Sequence, residues 1–401
     1  MTLYFEKLQG QINSLGITLA DRSQTAAREL EQAERLLRQL ADVDDIWEQI
    51  KLARQNDAGF RGAAPMNEPI NVPYLLPPCP DRATIFAADG SQVFPDPHGP
   101  AAYYLTNIGV FIYHHGTDAL PEFVVEPQLY FRDEDVLNFD GQMIPNSAVN
   151  ARRTVFEMQT LARTLTERAD AAPPLLALYD GPLLGTPIGK DVPDAATLQA
   201  DYHEGMDFIW DADGLLAGYV DRPTSRFVLY TLFLMTLAPD EITAGNLGTL
   251  RLDGMSDVDV FKSLLPPGGR SALMVQQSPL NKDYADRWSP MHEIVFFYLN
   301  TASAGQSPYL ARVEIPMWVA RNAEAVNAIH ALLYSQCQIT DRYPYALTRA
   351  DEIAVVSASE KRALDEMIAV ALLKNQQPVE SSQKLSSKWM ARHGRRKHDG
   401  V

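Results

Sequence analysis

The stretch Ala83–Ser91 reads ATIFAADGS, a short apolar run that ends in Asp89-Gly90-Ser91. A second run, Leu175–Leu183, reads LLALYDGPL and carries Asp180-Gly181 near its end. Each run has the length of a buried strand and is bounded by turn residues. Asp-Gly by itself is ordinary turn chemistry. Neighbouring parallel strands, however, bring their carboxyl ends to one edge of a sheet, where open α/β sheets place ligands. The two runs together therefore predict a pair of carboxylates at that edge.

The segments between these runs predict two more strands and a helix. Tyr103–Tyr113 and Phe123–Phe131 are rich in aromatic and β-branched residues, which is typical of strands. Ser147–Ala169 has the apolar spacing of an amphipathic helix. Glu157 stands beside its apolar face, where an ion pair with Arg153 is the ordinary explanation. The order strand, two strands, helix, strand is that of a ribonuclease H-like fold, in which the first and fourth strands are neighbours. We therefore predict an α/β protein with a mixed sheet flanked by helices.

The second half of the chain predicts further elements around this core. Leu215–Val220 indicates a fifth strand. The other predicted elements are a helix at Ser225–Leu237, strands at Glu293–Leu299 and Tyr309–Ile315, and helices at Asn322–Cys337 and Ser359–Lys374. His114-His115 and His292-Glu293 lack partner ligands at zinc-site spacing, so we expect them to be surface or strand-end residues.

Composition narrows the class of protein. The chain has 401 residues, 46% hydrophobic residues and a formal charge of -16, which argues against a surface that coats nucleic acid in general. It leaves room for a nucleic-acid enzyme whose acidic centre is filled by metal. The two cysteines cannot form a disulfide framework and fit a reducing compartment. With no apolar run of membrane-spanning length and no signal pattern, we expect a cytoplasmic protein that does not associate with membranes.

A helix predicted from Asp21 to Ala53 carries one apolar stripe. The stripe consists of Leu30, Ala33, Leu37, Leu40, Val43, Trp47 and Ile50, stepping by three and four. Such a stripe packs either on the protein's own core or on another subunit, and the sequence leaves both readings open. A proline-rich connector, Pro65–Pro80, then leads to the first strand. We accordingly divide the chain into a helical extension with its connector (1–80), a ribonuclease H-like domain with insertions (81–375) and a tail (376–401).

The predicted tail is the one plainly basic segment of this acidic chain. It contains Lys384, Lys388, Arg392, Arg395, Arg396 and Lys397, with little acid to balance them. Its polar composition predicts a mobile segment. Contact with phosphate groups or docking to a partner is the alternative function for such a charge run.

Five short motifs, taken in order, resemble those of the NurA nuclease family. They are Asp89-Gly90-Ser91, the helix segment Arg152–Leu161 around Glu157, the run Leu178–Leu183 around Asp180, the strand Arg312–Pro316, and Tyr343–Leu347. Each motif is weak alone, but the five in this order cover most of the chain from about Ile85 to the helix after Ser357.

The resemblance implies a fold, an activity and partners. It implies a ribonuclease H-like nuclease that forms homodimers and depends on a divalent metal, typically Mn²⁺ or otherwise Mg²⁺. It also implies single-strand endonuclease and 5′-to-3′ exonuclease activity on DNA ends, in repair or defence, together with a hexameric ATPase translocase of the HerA type.

Carried over by motif, the resemblance makes Asp89, Glu157 and Asp180 metal ligands and Tyr343 a residue beside the scissile phosphate. Two clustered divalent ions can activate water and stabilise the leaving oxygen of a phosphodiester. In this arrangement Asp89 would bridge both ions, Asp180 and Glu157 would complete one shell, and Asp351 would help with the other.

Two positions depart from the family pattern. Many relatives have a histidine eight residues after the late tyrosine, where this chain has Asp351. Both residue types can ligate a divalent cation, so we expect Asp351 to serve as the fourth metal ligand. Relatives often carry a lysine after the fifth strand, and Arg222 would replace that cation here.

Two other functions are open at this stage. One is a catalytically inactive relative that acts as a structural partner of a translocase. The other is a metal-dependent phosphoesterase on the same fold that acts on RNA or a nucleotide, because the contacts that distinguish a 2′-hydroxyl cannot be placed from sequence.

Overall fold

The protein is built on one mixed sheet. The computed structural model describes residues 5–40, 42–138, 140–185, 192, 194–249 and 255–377, with the backbone alone for residues 20–27. Within these residues, nine strands lie in the order β1-β7-β8-β9-β6-β5-β2-β3-β4. The strands are β1 (Gly62–Pro65), β2 (Ala83–Val93), β3 (Tyr104–His115), β4 (Glu122–Tyr130), β5 (Leu175–Asp180), β6 (Leu215–Val220), β7 (Met274–Gln277), β8 (Ile294–Asn300) and β9 (Leu310–Pro316).

Helices cover both faces of this sheet. Those of the described residues are α1 (Gln9–Gln39), α2 (Val43–Asn56), α3 (Asp133–Val136), α4 (Asn146–Thr166), α5 (Ala195–Asp211), α6 (Phe227–Leu234), α7 (Ala244–Gly248), α8 (Asp257–Phe261), α9 (Pro279–Asp283), α10 (Met317–Ala320), α11 (Ala323–Thr340), α12 (Tyr345–Ala354) and α13 (Ala358–Lys374). None of the described helices is both long and apolar enough to cross a bilayer.

The half of the sheet that carries the predicted motifs has the expected topology. β2, β3 and β4 form an antiparallel meander. β5 returns beside β2 in parallel, and β6 adds to β5 in parallel. The first and fourth predicted strands are therefore neighbours, as the ribonuclease H-like order requires. One detail differs, because β2 does not stop at Asp89 but continues to Val93 on its pairing with β3.

The other half of the sheet is antiparallel and was predicted only in part. β6 pairs with β9, β9 with β8, β8 with β7 and β7 with β1. β8 and β9 match the predicted strand pair. β1 and β7 have only four residues each, too few for a hydrophobic alternation to be read from sequence. β1 precedes the proline-rich connector, so the sheet also uses residues of the predicted N-terminal extension.

The sheet separates two hydrophobic layers. On one face, Ala87, Leu178 and Tyr219 pack with residues of α11 and α12. On the other face, Ala88 and Tyr179 pack with residues of α4 and α5. Burial on both faces accounts for the nearly continuous apolar sequence of the central strands.

The N-terminal helix differs from its prediction in one respect. The predicted single helix ends at Gln39 and a second helix begins at Val43. Leu40 has left helical geometry, and Asp42 caps the start of α2 by accepting the Asp44 and Asp45 amides. The apolar stripe continues across the break. Its members Ala33, Leu37 and Ile50 are buried with α6, α8 and β1, so the stripe covers the protein's own core and is not a subunit contact.

A charge on the stripe should unfold the protein locally and leave its oligomeric state unchanged. We expect Leu37→Glu to cost several kcal/mol of stability, because Leu37 is 2% exposed and an unpaired charge would be buried there. Leu15→Glu, on the exposed first half of the same helix, is the matched control and should stay within about 0.5 kcal/mol of wild type. Thermal melting with light scattering measures both. A stable, clean monomer for Leu37→Glu would contradict the packing.

The predicted basic tail cannot be compared with the structure. Its residues from 378 onward lie outside the described part of the chain. The division of the chain at residues 81 and 375 also stays a prediction.

Candidate active site

Asp89 and Asp180 come together because β2 and β5 are parallel neighbours. The parallel register pairs Ala88 with Tyr179, so each aspartate is the next residue on its strand. Side chains alternate between the two faces of a strand. Asp89 therefore shares the face of Ala87, which packs under α11 and α12, and Asp180 lies on the same face. Both aspartates are half-buried.

Tyr343 contacts this pair directly. Its hydroxyl donates to Oδ1 of Asp180 at 2.8 Å, and its ring meets the Tyr219 ring edge-on at 5.3 Å. The turn that presents Tyr343 is strained, since Asp341 and Arg342 have φ values of 61° and 82°. The Arg342 carbonyl accepts from the Tyr219 hydroxyl at 3.1 Å, which helps hold this turn against the sheet. Tyr343 therefore lies beside Asp180, one of the predicted metal ligands, and its predicted place beside a scissile phosphate stays a prediction.

Asp351 is brought to the site by the docking of α12 on β3. Gly109 pairs with Asp89 across the two strands, and a Cβ there would lie 3.0 Å from the carbonyl oxygen of Ala350. Only glycine allows the helix to approach so closely. The end of α12 is fastened as well, because the Ala354 carbonyl accepts from Ser91 Oγ at 2.5 Å and Asn107 Nδ2 at 2.8 Å. The Asp351 side chain itself is exposed.

Glu157 reaches the site from the opposite face of the sheet. It is 2% exposed on α4, accepts from the Tyr179 hydroxyl at 2.7 Å and lies 3.2 Å from Arg153 Nε. The carboxylate presses against Gly90, where any Cβ would collide with Oε1. The ion pair with Arg153 that the helix spacing suggested is therefore present. Glu157 also lies against Gly90, the residue that follows Asp89. It can therefore both pair with Arg153 and belong to the acidic site.

The four acids influence one another electrostatically. Burial raises the pKa of Asp89 to about 7, and the negative charge of Asp180 adds to this effect. Glu157 and Asp351 contribute further in the same direction. Burial also raises the pKa of Asp180, opposed by the hydrogen bond from Tyr343. The pKa of Glu157 is raised by burial, opposed by Arg153. Clustered carboxylates that resist ionisation are typical of sites that work on charged groups.

A fifth acid, Asp221, was not predicted. It follows directly after β6, the third parallel strand, and it raises the pKa of Asp180. Its Oδ1 accepts from the Tyr309 hydroxyl at 2.8 Å. The signal was available in sequence, because Asp221 ends an apolar run in the same way as Asp180.

Arg222 is fully exposed in a left-handed conformation, with a φ of 45°. Its Nε donates to the Tyr309 hydroxyl at 3.2 Å. Arg342 lies over the same ring, with its guanidinium carbon 5.6 Å from the centroid. Two cations therefore flank one tyrosine beside the acidic cluster.

The acids suit a divalent cation in ligand type and charge. Carboxylate oxygens are the preferred ligands of Mg²⁺ and Mn²⁺. Glu157 Oε1 is buried, accepts no hydrogen bond within the described residues and is paired there with Arg153 Nε at 3.2 Å. In the same part of the chain, no group of three or more His, Cys, Asp or Glu side chains is placed so that it could hold a metal ion as the side chains stand. Glu157 would therefore exchange its contact with Arg153 in order to coordinate.

The histidines noted in the sequence lie in other surroundings. His114 pairs with Glu122 at 3.3 Å near the end of β3. His292 is buried just before the start of β8, so of the two expected surroundings it has the strand end and not the surface. Its Nε2 lies 2.8 Å from Asp207 and its Nδ1 lies 2.9 Å from Nδ1 of His203.

Several solved structures resemble this fold. The NurA nuclease from Sulfolobus solfataricus is similar over 91% of this chain and 98% of that chain, with a TM-score of 0.52 and 14% identity. Human ENDOV has a TM-score of 0.32 and 13% identity, over 80% of this chain and 97% of that chain. The C-terminal lobe of a budding yeast Argonaute has a TM-score of 0.29 and 10% identity, over 75% of this chain and 50% of that chain. No curated protein sequence matches significantly.

The chain is an α/β protein with a ribonuclease H-like fold. This follows from the strand order and from the similarity to the Sulfolobus structure. The sequence model of the NurA domain matches residues 83–356, from the start of β2 to the end of α12. The chain belongs to the NurA family of nucleases.

The free energy of folding that is lost by burying these carboxylates together can be measured by neutralising one of them. An unfolded aspartate titrates near pH 4 and Asp89 near pH 7, so between these values the folded state keeps a proton that the unfolded state has lost. Stability therefore falls as the pH rises through this window. The cost at pH 8 is on the order of a few kcal/mol, since one pKa unit corresponds to about 1.4 kcal/mol.

We expect Asp89→Asn to melt several degrees higher than wild type at pH 8 without metal. The difference should shrink towards zero at pH 4, where both proteins are neutral at this position. Calorimetry in EDTA across this pH range gives the measurement. A lower melting temperature for the variant at pH 8 would show that the ionised carboxylate is stabilised by its surroundings.

Proposed function

We propose that the chain is a divalent-metal-dependent nuclease that cuts single-stranded DNA within the strand and degrades DNA ends in the 5′-to-3′ direction, with Mn²⁺ as the preferred ion. The observation that carries the proposal is the hydrogen bond between Tyr343 and Asp180 beside Asp89. These three residues come from separate parts of the sequence and meet at the carboxyl edge of the parallel strands, where this class of sheet binds its ligands.

Each residue of the cluster has a proposed task. Asp89, Asp180, Glu157 and Asp351 would hold the ions, with Asp89 as the shared ligand. The ions would activate water and neutralise the phosphate charge. The Tyr343 hydroxyl donates a hydrogen bond to Asp180 and so fixes the direction of that carboxylate, and the half-buried ring offers a surface for a nucleotide.

The cations at the rim support a polyanionic substrate. The chain carries a net charge of -16, so DNA is repelled unless local positive charge opposes this field. We propose that Arg222 and Arg342, which flank Tyr309, contact phosphates next to the one that is cut. Arg222 would thereby replace the lysine that relatives carry after this strand.

The partner proposals rest on family membership. We propose a cytoplasmic homodimer that works with a hexameric ATPase of the HerA type in DNA repair or defence. The stripe on α1 and α2 is occupied by the protein's own core, so a dimer would use other surfaces. Light scattering, with and without a HerA-type ATPase, measures both associations.

A nuclease assay tests the activity. End-labelled single-stranded DNA, double-stranded DNA and RNA of the same sequence are incubated in Mn²⁺, Mg²⁺ or EDTA, with and without a HerA-type ATPase. We expect Mn²⁺-dependent cleavage of single-stranded DNA, and its loss in Asp89→Asn and in EDTA. Preferred cleavage of RNA would favour the alternative phosphoesterase, and no cleavage in any condition would favour a structural partner.

Asp351 can be tested against its neighbour on the same helix. We expect Asp351→Ala to lower activity about ten- to a hundredfold, the usual cost of losing a group that tunes a metal site. Asp351→His should keep substantial activity, because imidazole is also a metal ligand. Glu352→Ala is the matched control, since Glu352 is exposed and pairs with Arg349. Equal activity in Asp351→Ala and Glu352→Ala would exclude Asp351 from the site.

A further inference from the structure

The loop that follows Asp180 is fastened to the fold at several points. The Gly181 amide donates to the Tyr219 carbonyl at 2.9 Å. The Leu183 carbonyl accepts from the Tyr202 hydroxyl at 2.9 Å, and the Leu183 side chain is fully buried. The Leu184 amide donates to Oε2 of Glu314 at 3.1 Å. Residues 181–184 are therefore held by hydrogen bonds from a neighbouring strand, a helix and a more distant strand.

Glu314 is the unusual member of this set. It is a carboxylate with 0% exposure in the middle of β9. Its Oε1 lies 2.7 Å from Nη2 of Arg312, which is also buried. Removing an ion pair from water costs free energy that the mutual attraction often fails to recover, and apolar pairs of similar size are commonly as stable or more stable. Stability alone is therefore a weak explanation for this pair.

The contact with Leu184 gives the pair another task. β9 is joined to β6, and Glu314 is the register partner of Gly218, one residue before Tyr219. Tyr219 in turn is the register partner of Asp180. Glu314 thus lies two strands away from Asp180, and the amide that it accepts from, Leu184, is four residues after Asp180. A carboxylate has two acceptor oxygens, so it can bind the guanidinium with one and the loop amide with the other.

We propose that Glu314, oriented by Arg312, is a positioning residue for Asp180: it fixes the Leu184 amide and so keeps the Asp180 carboxylate directed towards Asp89. The inference rests on the proposed function in one respect, namely that Asp180 binds the divalent ion. The role is indirect, because Glu314 touches the loop and no reacting atom.

Two double variants isolate the acceptor at position 314. Arg312→Met/Glu314→Gln keeps an amide oxygen that can accept from Leu184. Arg312→Met/Glu314→Leu has similar size and no acceptor. Both remove the buried charges together, which folded proteins commonly tolerate. The two proteins differ only in the group that faces the loop amide.

The expected result is a difference in metal affinity and in loop protection. By calorimetric titration of Mn²⁺, the leucine variant should bind about tenfold more weakly than the glutamine variant, within the range found when a group that orients a metal ligand is lost. The Mn²⁺ concentration for half-maximal cleavage should shift equally. Hydrogen exchange of residues 181–185, measured without metal, should be faster in the leucine variant. Equal Mn²⁺ affinity in the two variants would overturn the proposal.

Thr231→Val controls for general loss of stability. Thr231 is 2% exposed, and its hydroxyl oxygen accepts from the Ala63 amide at 2.9 Å on the edge strand β1, far along the sheet from the loop. Loss of this hydrogen bond should lower the melting temperature and leave Mn²⁺ affinity unchanged. An equal loss of Mn²⁺ affinity here would assign the effect to stability and overturn the positioning role. If wild type itself neither binds Mn²⁺ nor cuts DNA, the proposed function fails. Faster exchange in the leucine variant would then still show that the acceptor at position 314 anchors the loop.

Discussion

The mutual repulsion of Asp89 and Asp180 is the constraint on which the rest of the site depends. Parallel pairing of β2 and β5 forces the two carboxylates together, because the register leaves them one residue beyond the last paired positions. Neither can move away without breaking a central strand that is buried on both faces. The folded state therefore keeps the repulsion, and hydrogen-bond donors around the pair reduce its cost in free energy. The Gly90 amide donates to Asp89, and Tyr343 donates to Asp180.

Sequence patterns predicted this part of the molecule well because its evidence is local. A strand, a meander, an amphipathic helix and a second strand each leave a periodicity within about twenty residues. Their order alone then implied that the two Asp-Gly sites are neighbours. The ion pair between Arg153 and Glu157 is equally local, since residues four apart lie on one side of a helix. What the sequence could not give was the face from which Glu157 arrives, because that depends on the packing of α4 across the whole sheet.

The elements that escaped prediction depend on distant pairings. β1 joins β7 across more than two hundred residues, and four-residue strands carry no readable alternation. The break between α1 and α2 was missed because the apolar stripe runs on through it, although Asp42 is an ordinary helix cap. Whether that stripe faced the core or a second subunit was undecidable from periodicity, since both surfaces demand the same side chains. Asp221 escaped prediction because an acid after β6 reaches this edge only if β6 is also parallel to β5, and that direction depends on the distant pairing.

The antiparallel half of the sheet is more than an extension of the fold. β9 brings Arg312 and Glu314 beneath the loop after Asp180, and Tyr309 just before β9 contacts Asp221 and Arg222 at the rim. The second half of the sheet thus contacts the loop and the rim of a site whose acids come from the first half of the sheet, from α4 and from α12. A physical reason favours this arrangement. The acids repel one another and so destabilise the elements that carry them, and contacts from elements without these charges help to hold them in place. Asp351 makes the demand greater, because docking of α12 through Gly109 holds this position close to Asp89 whatever its side chain. A carboxylate there adds negative charge where a neutral imidazole would add none. The added charge raises the pKa of Asp89 further, and so increases the positive charge needed nearby before Asp89 ionises.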